Sequence, residues 1–165
     1  MTPWQRLHPW LLLVGVGLLA LFFANVEIQI EGADGWASKL PVTFRVEGHW
    51  ALNLFWGGRP LTGYHVWIFS FMLLVFHLPM LFAGQWSVRL EARALGCVMA
   101  FWVVEDLLWF VLNPAYGWSR LVSRQVPWHK HWFLSLPTDY WTFSLGAAVL
   151  LWWSFRRNSA AATCR

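Results

Sequence analysis

Charged side chains are scarce in this chain. Twelve Lys and Arg with eight Asp and Glu make up 12% of 165 residues, about half the share of an ordinary soluble domain. With 58% apolar residues, 15 Trp and 13 Phe, the chain carries more apolar surface than a soluble or disordered protein can keep from water. Cysteine is nearly absent too. Cys97 sits in an apolar run and Cys164 in the C-terminal tail, which excludes a disulfide framework and a paired-thiolate metal site. There is no basic run and no RNA-binding signature, so the formal charge of +4 fits anionic lipid headgroups and excludes a nucleic-acid partner. A phosphate-binding Gly-Lys-Ser, a metalloprotease His-Glu pair, a Gly-x-Ser-x-Gly elbow and internal repeats are also missing. The solvent left for such a composition is a bilayer.

Four apolar runs are present, at about 10–26, 61–83, 90–112 and 140–155, each near the roughly 20 residues that cross about 30 Å of hydrocarbon. The expected architecture is an all-α membrane protein. One domain over residues 1–165 would hold four transmembrane helices, with outer loops at 27–60 and 113–139. No small-residue cleavage site precedes Glu27, so the first run is kept as a helix and not read as a signal peptide. Pro79 should kink the second span, and Asn113-Pro114 should end the third. Lys and Arg divide six against six between the two sides. Arg6, Arg89, Arg93, Arg156, Arg157 and Arg165 lie in short segments beside span ends, which places both termini in the cytoplasm of a bacterial-type inner membrane.

The outer loops carry patterns of their own. Val26-Glu27-Ile28-Gln29-Ile30-Glu31 and Val42-Thr43-Phe44-Arg45-Val46-Glu47 alternate apolar with polar residues, the period of a strand with one buried face. Gly32 to Trp36 supplies turn residues between them, so an outer-face β-hairpin-like loop is expected. His49 to Trp56, together with Trp118, Trp128 and Trp132, should lie at the headgroups as interfacial aromatic segments. The Ala160-Ala161-Ala162 tail is expected to be disordered.

Glu105 and Asp106 are adjacent acids inside the third span, roughly 10 Å below its outer end at 1.5 Å per residue. Each ionised carboxylate costs about 2.5–3.5 kcal/mol near a helix centre, so both should face a bundle interior or a wet cavity. Being 100° apart on a helix, they cannot both face one partner squarely. One is expected to face a cavity and the other to bond a neighbouring helix. They would either share a proton for acid/base chemistry or glue helices through Arg59 or His65.

His129 and His131 flank Lys130 in a loop. Two-residue spacing puts both rings on one side only if the chain is extended. With Glu105 or Asp106 and His65, they could form a histidine and carboxylate site whose cofactor is a divalent metal ion, or they could bind headgroup phosphate. Asn113 shares roughly the face of Asp106 and either extends a polar stripe or ends the helix. Arg59, after Gly57-Gly58, could bind an anion or anchor the loop. His77 is too deep to join this set, and Asp139 reads as a first-turn acid of the fourth helix.

The function expected from these residues is that of a small integral membrane enzyme acting on a lipid or other apolar substrate. Glu105, Asp106, His129 and His131 would be its catalytic groups; His129, His131, Glu105 and His65 the metal donors; and Arg59 and Asn113 binding residues. Two other functions stay open. The chain could be a non-catalytic accessory subunit of a larger membrane complex, packing lipid, pigment or partner helices. It could also be a proton or cation module, which with four spans would need a homo-oligomer.

Overall fold

A computed structural model describes residues 9–35, 40 and 43–156. Arg6, Lys39, Arg157 and Arg165 of the charge count, Trp36, Pro41 and Val42 of the expected hairpin, Cys164, and the alanine tail lie outside the described residues. Three helices are long and apolar enough to cross a membrane: α1 (Pro9–Glu31), α3 (Gly63–Ala83) and α4 (Val88–Leu112). In the most apolar 18-residue stretch of α3 only 11% of the residues are buried, so α3 is the least enclosed of the three. A fifth helix, α5 (Thr138–Phe155), has 18 residues and is not among those three. Asp139, Tyr140, Thr142 and Ser144 occupy its first two turns, which leaves a shorter apolar stretch than the sequence run suggested.

α4 is the centre of the bundle. It packs along α5, α1 and α3, whereas α3 packs closely along neither α1 nor α5. The α1 contact follows from a small-residue row at four-residue spacing, Val16, Ala20, Ala24 and Ile28, all buried, which lets the two backbones approach. Below it, Val16, Ala20, Met72, Cys97 and Phe101 form the core between α1, α3 and α4. The α5 contact rests on Gly96 and Gly146. A methyl built at Gly96 would lie 2.9 Å from Leu151 Cγ and 3.3 Å from Leu150 Cβ, while one at Gly146 would meet the terminal Cε of Met99. Gly96→Ala is therefore expected to cost about 1–3 kcal/mol by forcing the helices apart. Gly146→Ala should be nearly neutral because the Met99 thioether can swing aside. Thermal unfolding of the two variants in detergent checks the contrast.

The expected outer hairpin does not form from residues 26–31. That segment is the last part of α1, which runs to Glu31 instead of ending near 26. Its alternation is only six residues long and continues an apolar helix, so Ile28 completes the buried row begun at Val16, and Glu27 and Glu31 fall one turn apart on one face. The strand that does form, β1 (Arg45–Val46), pairs antiparallel with β2 (Leu61–Thr62) just before α3. Between them lies the short helix α2 (Trp50–Phe55), with Trp50, Leu54 and Phe55 exposed. After α4, the chain makes a 3-10 turn at Trp118–Arg120. It then forms a second hairpin, β3 (Trp132–Phe133) with β4 (Leu136–Pro137), that leads directly into α5. Trp141 Nε1 donates to Phe133 O at 3.0 Å and ties this hairpin to α5.

At the opposite end, the arginines in the first turns of α4 have structural partners. Arg89 donates to the Arg156 carbonyl, and Arg93 donates to Ser154 O at 3.3 Å. Both cap the C-terminus of α5, where orphan carbonyls and the helix dipole favour cations. His77 bonds its own helix at Leu73 O, 2.7 Å away, and reaches across to Glu91 Oε1 of α4 at 3.0 Å.

Candidate functional site

The ends of α1, α3, α4 and α5 that meet under the loops surround a cavity of about 50 Å³, room for a few waters. Its polar lining comes from Glu27 and Glu31 of α1, Arg59 of the loop before β2, Tyr64 and His65 of α3, Glu105 and Asp106 of α4, and Asp139 and Tyr140 of α5. Aromatic rings, among them Trp56, Phe69, Trp102, Trp109, Trp128 and Phe143, make up most of the remaining wall.

Glu105 and Asp106 point to different sides, as adjacent helical positions must. Asp106 faces α5 and the loops. The Tyr140 hydroxyl donates to Asp106, Arg59 Nη1 lies 3.8 Å from Asp106 Oδ1, and His129 Nε2 lies 3.3 Å from Asp106 Oδ2. Arg59 also pairs with Asp139, and His129 Nδ1 is 3.4 Å from Asp139 Oδ1. Arg59, Asp139, His129 and Asp106 thus close a ring in which each carboxylate lies beside both the guanidinium and the imidazole. Glu105 faces α1, where its carboxyl meets that of Glu27, and Tyr64 donates to Glu27 Oε1 at 2.7 Å. Glu105 is 3% exposed, and its Oε1 has no hydrogen-bond partner.

Local sequence explains each placement. Gly57 and Gly58 have φ of 61° and 77°, conformations that side chains resist, and these turn the chain sharply after α2. A methyl at Gly57 would lie 3.2 Å from Asp139 Oδ1, so glycine there lets Arg59 and Asp139 come together. The Arg59 guanidinium lies 5.5 Å from the Trp56 ring centroid, which fixes its plane. His129 ends a turn closed by its N–H on Val126 O at 3.2 Å. Its ring is fully buried, among Phe110, Trp132 and Tyr140.

The four donors expected to bind a metal, His129, His131, Glu105 and His65, are not brought together. His131 is exposed and lies against Gly58, because the turn that buries His129 sends the chain outward two residues later. His65 is spent as a helix cap, its Nδ1 2.7 Å from the Thr62 hydroxyl. Glu105 faces an acid instead of an imidazole. Among the described residues no group of three or more His, Cys, Asp or Glu is disposed to hold a metal ion. Asn113 is buried but sits outside the cavity, because its position at the end of α4 puts it against the end of α1. It donates to Gly32 O at 2.7 Å and accepts from Ala115 N at 2.9 Å. Tyr116 adds a parallel bond to Ala33 O at 3.0 Å.

Five polar lining residues were not singled out as site residues by the sequence: Glu27, Glu31, Tyr64, Asp139 and Tyr140. The usable signal was the pair Glu27 and Glu31, one helical turn apart at the end of an apolar run. Asp139 is a first-turn acid of α5, as its position suggests, and its carboxylate is also a corner of the buried ring. Comparison with known protein families, with curated proteins and with solved structures finds no match for this chain.

Proposed function

We propose that this chain is a small integral membrane enzyme that carries out acid/base chemistry on a lipid or other apolar substrate at the cavity under its outer loops. One observation carries this assignment. Polar groups from five separate stretches of sequence converge on a single aromatic-walled cavity, when isolated helix glue would have left them in separate contacts. Glu27 and Glu105 stand side by side in the cavity wall, and in this reading one carboxyl acts as acid and the other as base. Tyr64 orients Glu27. The ring of Arg59, Asp139, His129 and Asp106, with Tyr140, holds the α4–α5 side rigid, as a site built on helices requires. The direct experiment is incubation of purified protein with a bacterial lipid extract followed by mass spectrometry. A species consumed by the wild type and not by Glu105→Gln is expected, and an unchanged extract in both would refute the assignment.

In this proposal α5 is the fourth span, and both termini are cytoplasmic in a bacterial-type inner membrane. The length of α5, about 27 Å at 1.5 Å per residue, and the arginines in the first turns of α4 support this arrangement. A cysteine placed at Gln85 is expected to be labelled only from the cytoplasmic side, and one at Ser119 only from outside, in a Cys164→Ser background. Ser87 is left intact because its hydroxyl caps α4 through Leu90 N at 3.2 Å. Reversed labelling would place the cavity at the cytoplasmic face.

A further inference from the structure

The cavity is acidic on balance. Five carboxyl groups line it against one guanidinium, and Arg59 is committed to Asp139 and Asp106 on the α5 side. Glu27, Glu31 and Asp106 line the same cavity as Glu105. Independently of that charge, Glu105 Oε1 is an acceptor on a side chain 3% exposed, in the cavity wall, with no hydrogen-bond donor. A buried acceptor left in this state costs about 1–3 kcal/mol unless something in the cavity donates to it. Tyr64, Phe69, Trp102 and Trp109 line the same cavity, with Phe69 and Trp102 packed edge to face at 4.4 Å between ring centroids. Aromatic faces beside a desolvated carboxylate favour cations. Size narrows the choice further, because about 50 Å³ admits a primary ammonium and is tight for a trimethylammonium.

The geometry points to a primary ammonium head group on an apolar chain as the ligand of this cavity, donating to Glu105 Oε1 within the ring of Tyr64, Phe69, Trp102 and Trp109. This inference deepens the functional proposal above by naming the ligand's head group, and it rests on the same cavity. An N–H donor supplies what Oε1 lacks, and its charge offsets the excess of acids. The apolar chain is the part that a bundle with lipid-facing helices can leave in the bilayer.

Hexylamine, hexanol and hexyltrimethylammonium are suitable probes because all three dissolve in water, and the amine is protonated near neutral pH. Binding to the full-length protein in a nonionic detergent would be followed by tryptophan fluorescence, with ligand-induced thermal stabilisation as the second measurement. Saturable binding of hexylamine is expected, with hexanol and hexyltrimethylammonium each about tenfold weaker or more. Glu105→Gln should lose about tenfold in hexylamine affinity while unfolding at the wild-type temperature. Glu27→Gln, tested beside it, should show the same loss, so that misfolding of one variant does not decide the outcome. Equal binding of hexanol, equal binding of the bulky ammonium, or full hexylamine affinity in both folded variants would overturn the proposal. The two proposals fail separately. Alcohol and amine binding alike, with lipid turnover intact, removes the ammonium preference alone; selective amine binding without turnover of any lipid removes the enzyme assignment alone.

Discussion

Replacing Arg59 with glutamine is expected to destabilise the protein by about 3–5 kcal/mol, the cost of removing one partner from a buried charge pair. Arg59 is 9% exposed and Asp139 4%, and the guanidinium serves both Asp139 and Asp106. Without it, two carboxylates remain beneath the loops beside the His129 imidazole. Asp139→Asn alone should also destabilise, because it leaves Arg59 facing Asp106 alone at 3.8 Å. The double variant should be less damaged than the sum of the singles, with a coupling of about 2–3 kcal/mol, since neutralising both ends removes the uncompensated charge. Unfolding in detergent, followed by helical circular dichroism, measures all three. Additive losses would mean that Arg59 and Asp139 act independently and that the ring is no structural unit.

The second large effect separates the adjacent acids. Asp106→Asn is expected to cost about 2–4 kcal/mol, because Tyr140 donates to its carboxylate, Arg59 and His129 lie within 3.8 Å of it, and a neutral amide removes the charge that Arg59 faces. Glu105→Gln should change stability by less than about 1 kcal/mol. Its amide can donate to the Glu27 carboxylate, so an N–H···O bond takes the place of the contact between two acids. Function should follow the opposite order. The Glu105 variant, folded and inactive, loses the ionisable group of the carboxyl pair, whereas any activity lost in the Asp106 variant should track lost folded protein. Parallel measurement of unfolding temperature and lipid turnover on both variants distinguishes the two roles. Equal losses of stability would make both acids helix glue.

The helices were legible because an apolar run of about 20 residues has few alternatives. α3 and α4 begin and end close to where composition and the Asn113-Pro114 stop place them. α1 was read five residues short because period-2 alternation over Val26–Glu31 also fits a helix whose buried row is Ala20, Ala24 and Ile28. Only packing against α4 decides between the two. The pairing of Arg45–Val46 with Leu61–Thr62 was not legible at all, since two-residue strands carry no period. The site was half visible for the same reasons. Glu105 and Asp106 announce themselves because acids inside an apolar run are costly, and the Gly57-Gly58-Arg59 turn and buried His129 belong to the same cluster. Glu27 stayed hidden once its segment was read as a strand. Tyr64, Asp139 and Tyr140 stand at helix starts, where ordinary capping and interfacial preference explain them without reference to a distant partner. The step from His129 to His131 as a joint pair failed because it assumed an extended chain where a turn ends.

The most direct test of the account is mass spectrometry of small amphiphiles that copurify with the protein extracted gently from its membrane, comparing wild type with Glu105→Gln at matched folded concentration. A discrete species carrying a primary amine, retained by the wild type and depleted about tenfold in the variant, is the predicted result, consistent with loss of one charge-assisted hydrogen bond. The same complement of bulk lipids on both proteins, with no species that depends on Glu105, would contradict the claim that the acids at the end of this bundle form a ligand site.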